Sequence, residues 1–191
     1  PQFDANTPPT DIATRPIDPA VSETYEPGSV NKVITMSAAL QEGLVTPTTP
    51  FTIPPLLHFA GATVHDAEQH GTERLTLTGV LAKSSNIGTI QVARRLGPQR
   101  LYSYLRGYGF GSLTGTGLPG DQDGLLPPVA LWSQTTMPTV AFGQGIGVTV
   151  TERAERWSTT ATTVYFGMGS SAHAAKASVP PRIDRTTSPG P

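Results

Sequence analysis

Apolar positions recur at helical spacing in four stretches of this chain. The clearest runs from Gly28-Ser29 through Val33, Ile34, Met36, Ala38, Ala39 and Leu40, with Gly43 placed as a C-terminal stop. A second begins near Leu75, with Leu77, Val80 and Leu81 about one turn apart. It breaks at Ser84-Ser85-Asn86, whose side chains compete well for backbone hydrogen bonds. A third carries Ile87, Ile90, Val92, Ala93 and Leu96 to a stop at Gly97-Pro98, and a fourth places Leu101, Tyr102 and Leu105 between Gln99 and Gly107. Elsewhere the periodicity lapses. Residues 1–28 hold six prolines and read as an extended lead-in, and residues 44–74, rich in Thr and Pro, read as loop and short strand. Residues 107–128 are turn-rich, with six Gly and one Pro between 107 and 120. From 151 to 191 there are 12 Ser or Thr and no sustained pattern.

Composition narrows the function classes. The 20 Gly and 19 Pro make up about a fifth of 191 residues, below the roughly 25–30% that argues for disorder. Charged residues amount to 14% and the net charge is −1, so no footprint for nucleic acid or an anionic membrane is present. No stretch approaches the roughly 18 apolar residues of a membrane span. The absence of Cys removes disulfides, thiolate nucleophiles and Cys-based metal sites. The chain opens Pro1-Gln2-Phe3 with neither a Met nor a leader, so it is expected to be a piece of a longer protein.

Two groups of residues invite a chemical reading. His65, Asp66, Glu68 and His70 fall within six residues, but in no metal-site spacing, and read as a solvated loop; no metal or other cofactor is expected. The Gly-rich stretches match no phosphate loop, and no serine has the neighbours of a GxSxG elbow. Lysine is scarce: Lys32, Lys83 and Lys176 stand against ten Arg. Ser29 and Lys32 lie three residues apart and so share a helix face. A serine hydroxyl needs an adjacent base to become a nucleophile, and a lysine serves only when burial or nearby positive charge populates its neutral amine. The spacing alone fits equally a helix-capping serine beside a solvated lysine.

The surroundings of this pair carry a resemblance. Tyr25-Glu26-Pro27-Gly28-Ser29-Val30-Asn31-Lys32 resembles the active-site segment of class B penicillin-binding proteins, the septal and elongation peptidoglycan transpeptidases, whose superfamily pairs S-x-x-K with S-x-N and K-T-G elements. Lys83-Ser84-Ser85-Asn86-Ile87-Gly88 resembles the S-x-N loop, 55 residues after Ser29. Asp66-Ala67 with His70-Gly71-Thr72, Tyr108-Gly109-Phe110-Gly111, Gly117-Leu118-Pro119-Gly120 and Phe142-Gly143-Gln144-Gly145 are similar to actinobacterial members, so the likeness runs almost unbroken from about 21 to 150. It implies Ser29 as the acylated nucleophile and Lys32 as its general base. Ser84 would be a proton relay, and Asn86 would hydrogen-bond the substrate amide and position Lys32. Ser85 would be a spacer and Lys83 a surface residue. The implied partners are the D-Ala-D-Ala end of a peptidoglycan stem peptide, beta-lactams, and, for the parent protein, membrane proteins of the divisome or elongasome. The implied location is the extracytoplasmic face of a bacterial membrane.

The third element of the family is missing from this sequence. Lys176 is followed by Ala177-Ser178, and neither K-T-G nor K-S-G occurs. Residues 151–178 lack the family's apolar helix, and a likeness returns at Pro180-Pro181-Arg182-Ile183, an interval that a shifted reading frame would explain. The implied fold is α/β (α+β), the serine beta-lactamase/D,D-peptidase-like transpeptidase fold. Here it would be mainly the helical subdomain, with the core antiparallel sheet largely missing. Residues 1–150 are expected to form a partial transpeptidase domain and 151–191 a divergent tail. Without its K-T-G strand the isolated piece is expected to be unstable or inactive. The other readings are a beta-lactamase or D,D-carboxypeptidase, a non-catalytic beta-lactam sensor, and an inactive gene fragment.

Overall fold

The computed structural model describes residues 17–151. Most of the proline-rich lead-in and the tail from 152, with His173 and Lys176, lie outside the described residues. Helices α1 (Pro19–Ser22), α2 (Lys32–Gln41), α3 (Leu77–Ala82), α4 (Asn86–Leu96), α5 (Pro98–Gly107) and α6 (Thr136–Ala141) form the body. Strands β1 (Pro50–Ile53), β2 (Leu57–Phe59), β3 (Ala62–Val64) and β4 (Glu73–Thr76) make two small antiparallel sheets, β1 with β4 and β2 with β3. Mixed helix and sheet is thus present, and among the described residues the sheet is confined to these two pairs.

Helix α2 is central. Its Ile34 and Ala38 pack into one apolar cluster with Ala93, Leu96, Leu101, Leu105, Val140 and Ile146. Its Met36 and Ala39 pack into a second with Phe51, Ile53, Leu77, Val80 and Ile87. A helix apolar on both flanks must be covered on both, and α4 spans the two clusters beside it. Strand β1 buries Phe51 and Ile53 and exposes Pro50 and Thr52, the alternation of a half-buried strand. Its partner across the sheet from Phe51 is Leu75.

Leu75 therefore belongs to a strand, and the helix expected from it begins at Leu77, where the Thr76 hydroxyl caps the Gly79 N–H at 3.2 Å. Helix α4 ends at Gly97, whose φ of +82° turns the chain, and Pro98 opens α5. Helix α6 had no counterpart in the sequence pattern.

Candidate active site

Ser29 does not begin an α-helix. It lies in a 3₁₀ turn, Gly28–Asn31, that leads into α2, and its hydroxyl caps no N–H there. The capping expectation is corrected accordingly: the tight turn leaves Ser29 exposed while Asn31 and Lys32 are buried beneath it. The turn and the start of α2 are fastened to the end of α6 and the segment after it. The Gly28 N–H donates to the Gly143 carbonyl at 3.0 Å, and the Asn31 amide donates to the Val140 carbonyl at 2.7 Å. The Thr35 hydroxyl donates to the Ala141 carbonyl at 2.8 Å, and the Gly145 N–H donates to a Glu26 carboxylate oxygen at 2.8 Å. Gly143, at φ +91°, has no room for a side chain, since a Cβ there would lie 2.1 Å from the Gly28 carbonyl oxygen.

Lys32 is 1% exposed. Its Nζ donates to the Ser84 carbonyl and, at 3.0 Å, to the Ser84 hydroxyl, 52 residues away. Burial strips water from the ammonium and brings its pKa from 10.5 down to about 8, against the opposing pull of the Asp66 carboxylate. Sequence spacing suggested Ser29 as the partner of Lys32, whereas the amine is bonded to Ser84.

The Ser84 loop is the C-terminal end of α3. The Ser84 N–H returns to the Leu81 carbonyl at 3.0 Å and the Ser85 N–H to the Val80 carbonyl at 2.9 Å, the paired bonds of a Schellman motif. The left-handed position of that motif normally holds Gly, yet here it is Ser84, at φ +52°. A non-Gly residue in this region costs about 1–2 kcal/mol. What the serine adds is its hydroxyl, aimed at the lysine.

Ser85 does more than space the motif. It is buried, and its hydroxyl caps α4 by accepting the Gly88 N–H at 2.9 Å and donates to Asp66 Oδ2 at 2.7 Å. The other Asp66 oxygen accepts the Ile87 N–H at 3.0 Å, and His70 Nε2 stands 3.2 Å from Oδ2. The solvated-loop reading of residues 65–70 is corrected at Asp66, which is 9% exposed and packed against the S-x-N loop. The family likeness of Asp66-Ala67 marked it in the sequence without giving it a role; the Ser85 hydroxyl and Ile87 N–H, brought close by folding, set it apart from Glu68. Among the described residues no three His, Asp or Glu side chains are grouped to hold a metal. The Asn86 amide donates to the His65 carbonyl at 3.1 Å, and the bonds to the Lys32 amine come from Ser84 rather than from Asn86. Lys83 is exposed and pairs with Glu73 at 2.7 Å.

The arrangement sets a buried amine, its pKa lowered to about 8, against the Ser84 hydroxyl, and Ser29 is exposed three residues before that lysine in the chain. A lysine amine in such a setting can exchange a proton with a hydroxyl.

The chain matches a family model described as the penicillin binding protein transpeptidase domain over residues 1–181. It is 44% identical over 144 residues to penicillin-binding protein PbpB of Mycolicibacterium smegmatis, covering 75% of this chain and 22% of that protein. It is 41% identical over 174 residues to PbpB of Mycobacterium tuberculosis, covering 91% of this chain and 25% of that protein. Among solved structures it resembles penicillin binding protein 3 from Mycobacterium tuberculosis complexed with aztreonam, at 44% identity and a TM-score of 0.70, covering 73% of this chain and 31% of that one. The chain spans about a quarter of the length of the curated relatives it matches.

Proposed function

The chain belongs to the penicillin-binding protein transpeptidase family, and on that premise we propose that it carries the nucleophile, base and proton relay of a D,D-transpeptidase that cross-links peptidoglycan stem peptides. The observation that carries this reading is the buried Lys32 amine bonded to the Ser84 hydroxyl, on a lysine that stands three residues after the exposed Ser29. With its pKa near 8, about a tenth of the amine is neutral at pH 7, against well under a thousandth for an amine at 10.5.

In the proposed reaction Ser29 Oγ attacks the carbonyl carbon between the two D-Ala residues and passes its proton to the neutral Lys32 amine. The peptide C–N bond breaks, and the leaving amine of the terminal D-Ala takes that proton by way of the Ser84 hydroxyl. The acyl-enzyme ester on Ser29 is then attacked by the amine of a second stem peptide. A new amide C–N bond forms, the ester C–O bond breaks, and the acceptor's proton returns to Ser29 Oγ. Asn86 contacts the substrate amide. A beta-lactam acylates the same hydroxyl by opening its ring. We place this chemistry in a membrane-anchored parent protein on the extracytoplasmic face, working with the division or elongation machinery. Residues 1–150 supply the S-x-x-K and S-x-N elements, and 151–191 form a divergent tail.

The K-T-G element that this sequence lacks would provide one of two oxyanion donors, and loss of a single such donor typically costs about 10²–10³ in rate. The 191-residue chain alone is therefore expected to react with penicillin poorly. Residues 1–150 joined to a segment that carries the family's K-T-G element should be labelled by a fluorescent penicillin, and S29A should abolish the label. Labelling that survives S29A would refute the assignment.

A further inference from the structure

Two serines and a lysine do not hold their own geometry. The Ser84 hydroxyl and carbonyl face Lys32 because residue 84 sits in a left-handed conformation that a serine does not choose freely. The restraint comes from outside the S-x-x-K and S-x-N elements. Asp66, in the loop between β3 and β4, takes the Ser85 hydroxyl on one oxygen at 2.7 Å and the Ile87 N–H on the other at 3.0 Å. These two residues flank Asn86, so one carboxylate grips the loop on both sides. The preceding residue adds a third contact, because the His65 carbonyl accepts the Asn86 amide. Asp66 is itself nearly buried, closed over by His70. A carboxylate in that setting is retained only where its oxygens are well satisfied.

We propose that Asp66 is the positioning residue of this site: it acts on Lys32 through the Ser84–Asn86 loop, gripping that loop on both sides so that the Ser84 carbonyl and hydroxyl stay aimed at the amine. Asp66 touches neither Ser29 nor Lys32 and is not a catalytic residue. Its negative charge also reaches Lys32, favouring the ammonium form against the burial that disfavours it. The charged and titratable groups gathered here are Asp66, His65 and His70 from the loop after β3, and Glu73 of β4, which pairs with Lys83 at the end of α3. Helix α2 contributes Lys32 alone. The proposal rests on the reading of Lys32 as the base, and its test does not need that reading to be right.

The test is an NMR titration of the lysine side chains in the full 191-residue chain. Three lysines make the spectrum simple, and K32R identifies the Lys32 signal. Wild type should titrate near 8. D66N keeps the shape and one acceptor oxygen but removes the charge, and it should move the Lys32 midpoint below the wild-type value. S85A keeps the charge but cuts the tether, and it should let water reach the amine and move the midpoint upward, toward 10.5. Shifts of opposite sign are expected of a residue that both grips and biases the base. A merely structural Asp66 gives no Lys32 shift in either variant, and that result overturns the proposal. So does a wild-type Lys32 that titrates at 10.5. If D66N fails to fold, S85A alone decides by the presence or absence of its upward shift. Opposite shifts with no penicillin adduct on Ser29 of the chain completed with a K-T-G-bearing part would uphold the positioning role and sink the transpeptidase reading. An adduct on Ser29 with no Lys32 shift in either variant would do the reverse.

Discussion

Gly143→Ala should be among the most damaging single-methyl changes in this chain. The added Cβ would lie 2.1 Å from the Gly28 carbonyl oxygen, 2.7 Å from its carbon and 2.8 Å from its nitrogen. All three are backbone atoms, so no side-chain rotation relieves the overlap. The two segments would have to part by about 1.3 Å to bring that 2.1 Å approach to the 3.4 Å of ordinary contact, enough to break the 3.0 Å bond from the Gly28 N–H to the Gly143 carbonyl. Left-handed backbone in a non-Gly residue costs about 1–2 kcal/mol. Overpacking adds about 1–3 kcal/mol, and a buried backbone group left unpaired adds a similar amount. A total near 4 kcal/mol is expected from these magnitudes. Gly145→Ala is the control. Its φ is +73°, but the nearest atom to the new Cβ is Thr139 Oγ1 at 3.8 Å, so only the backbone cost of about 1–2 kcal/mol applies. Urea unfolding of both variants, followed by tryptophan fluorescence, should separate them by about 2–3 kcal/mol. Equal destabilisation would refute the close docking of the Ser29 turn on the Gly143 segment.

Two further predictions concern the base and its partner. Lys32 binds its proton less tightly in the folded chain, at about 8, than in the unfolded one at 10.5. Below pH 8 both states hold the proton and the folded chain bears the full cost of burying a cation. Between those values the unfolded state holds more protons, so stability rises with pH, by roughly 3 kcal/mol at the upper limit. Tyr104, pushed up to about 12 chiefly by burial, works the other way only above its ordinary 10.0. Unfolding measured from pH 7 to 10 should show the rise in wild type and lose it in Lys32→Met; an undiminished rise in the variant would assign it to another group. Ser84→Gly relieves the left-handed backbone and should raise stability by about 1 kcal/mol while slowing acylation of Ser29 in the completed transpeptidase. Urea midpoints and penicillin labelling rates measure the two effects, and a variant that is both less stable and equally reactive would contradict them.

Much of the helical body was legible because its signals are local. Val33 to Leu40, Ile87 to Leu96 and Leu101 to Leu105 repeat apolar residues within one element, and Gly97-Pro98 marks a real boundary. Of the strands only the stretch was legible: residues 44–74 read as loop and short strand, and β1, β2 and β3 lie there, but their bounds and pairing were not. Residues 50–53 and 73–76 pair across the 19 positions between Ile53 and Glu73, and four-residue strands leave too little alternation to read. Helix α6 escaped because six residues containing Pro138 give no periodicity. At the site, the spacing of Ser29 and Lys32 did not foretell the hydrogen bond of the lysine, since Lys32 reaches Ser84 only through the packing of α2 beside α3 and α4. The role of Asp66 was hidden for the same reason: a polar residue among polar residues becomes distinctive when folding buries it against Ser85 and Ile87. Family motifs named the candidate residues, and tertiary structure was needed to show what holds Lys32 and the Ser84 loop in place.

The account turns on Ser29 as the acylated residue. Residues 1–150, completed with a segment that carries the family's K-T-G element, should be treated with a penicillin, digested and analysed by mass spectrometry. The predicted result is the intact drug's mass added to the peptide that contains Ser29, and no addition in S29A. A folded, completed protein whose Ser29 peptide remains unmodified, or whose adduct lies on another residue, would contradict it.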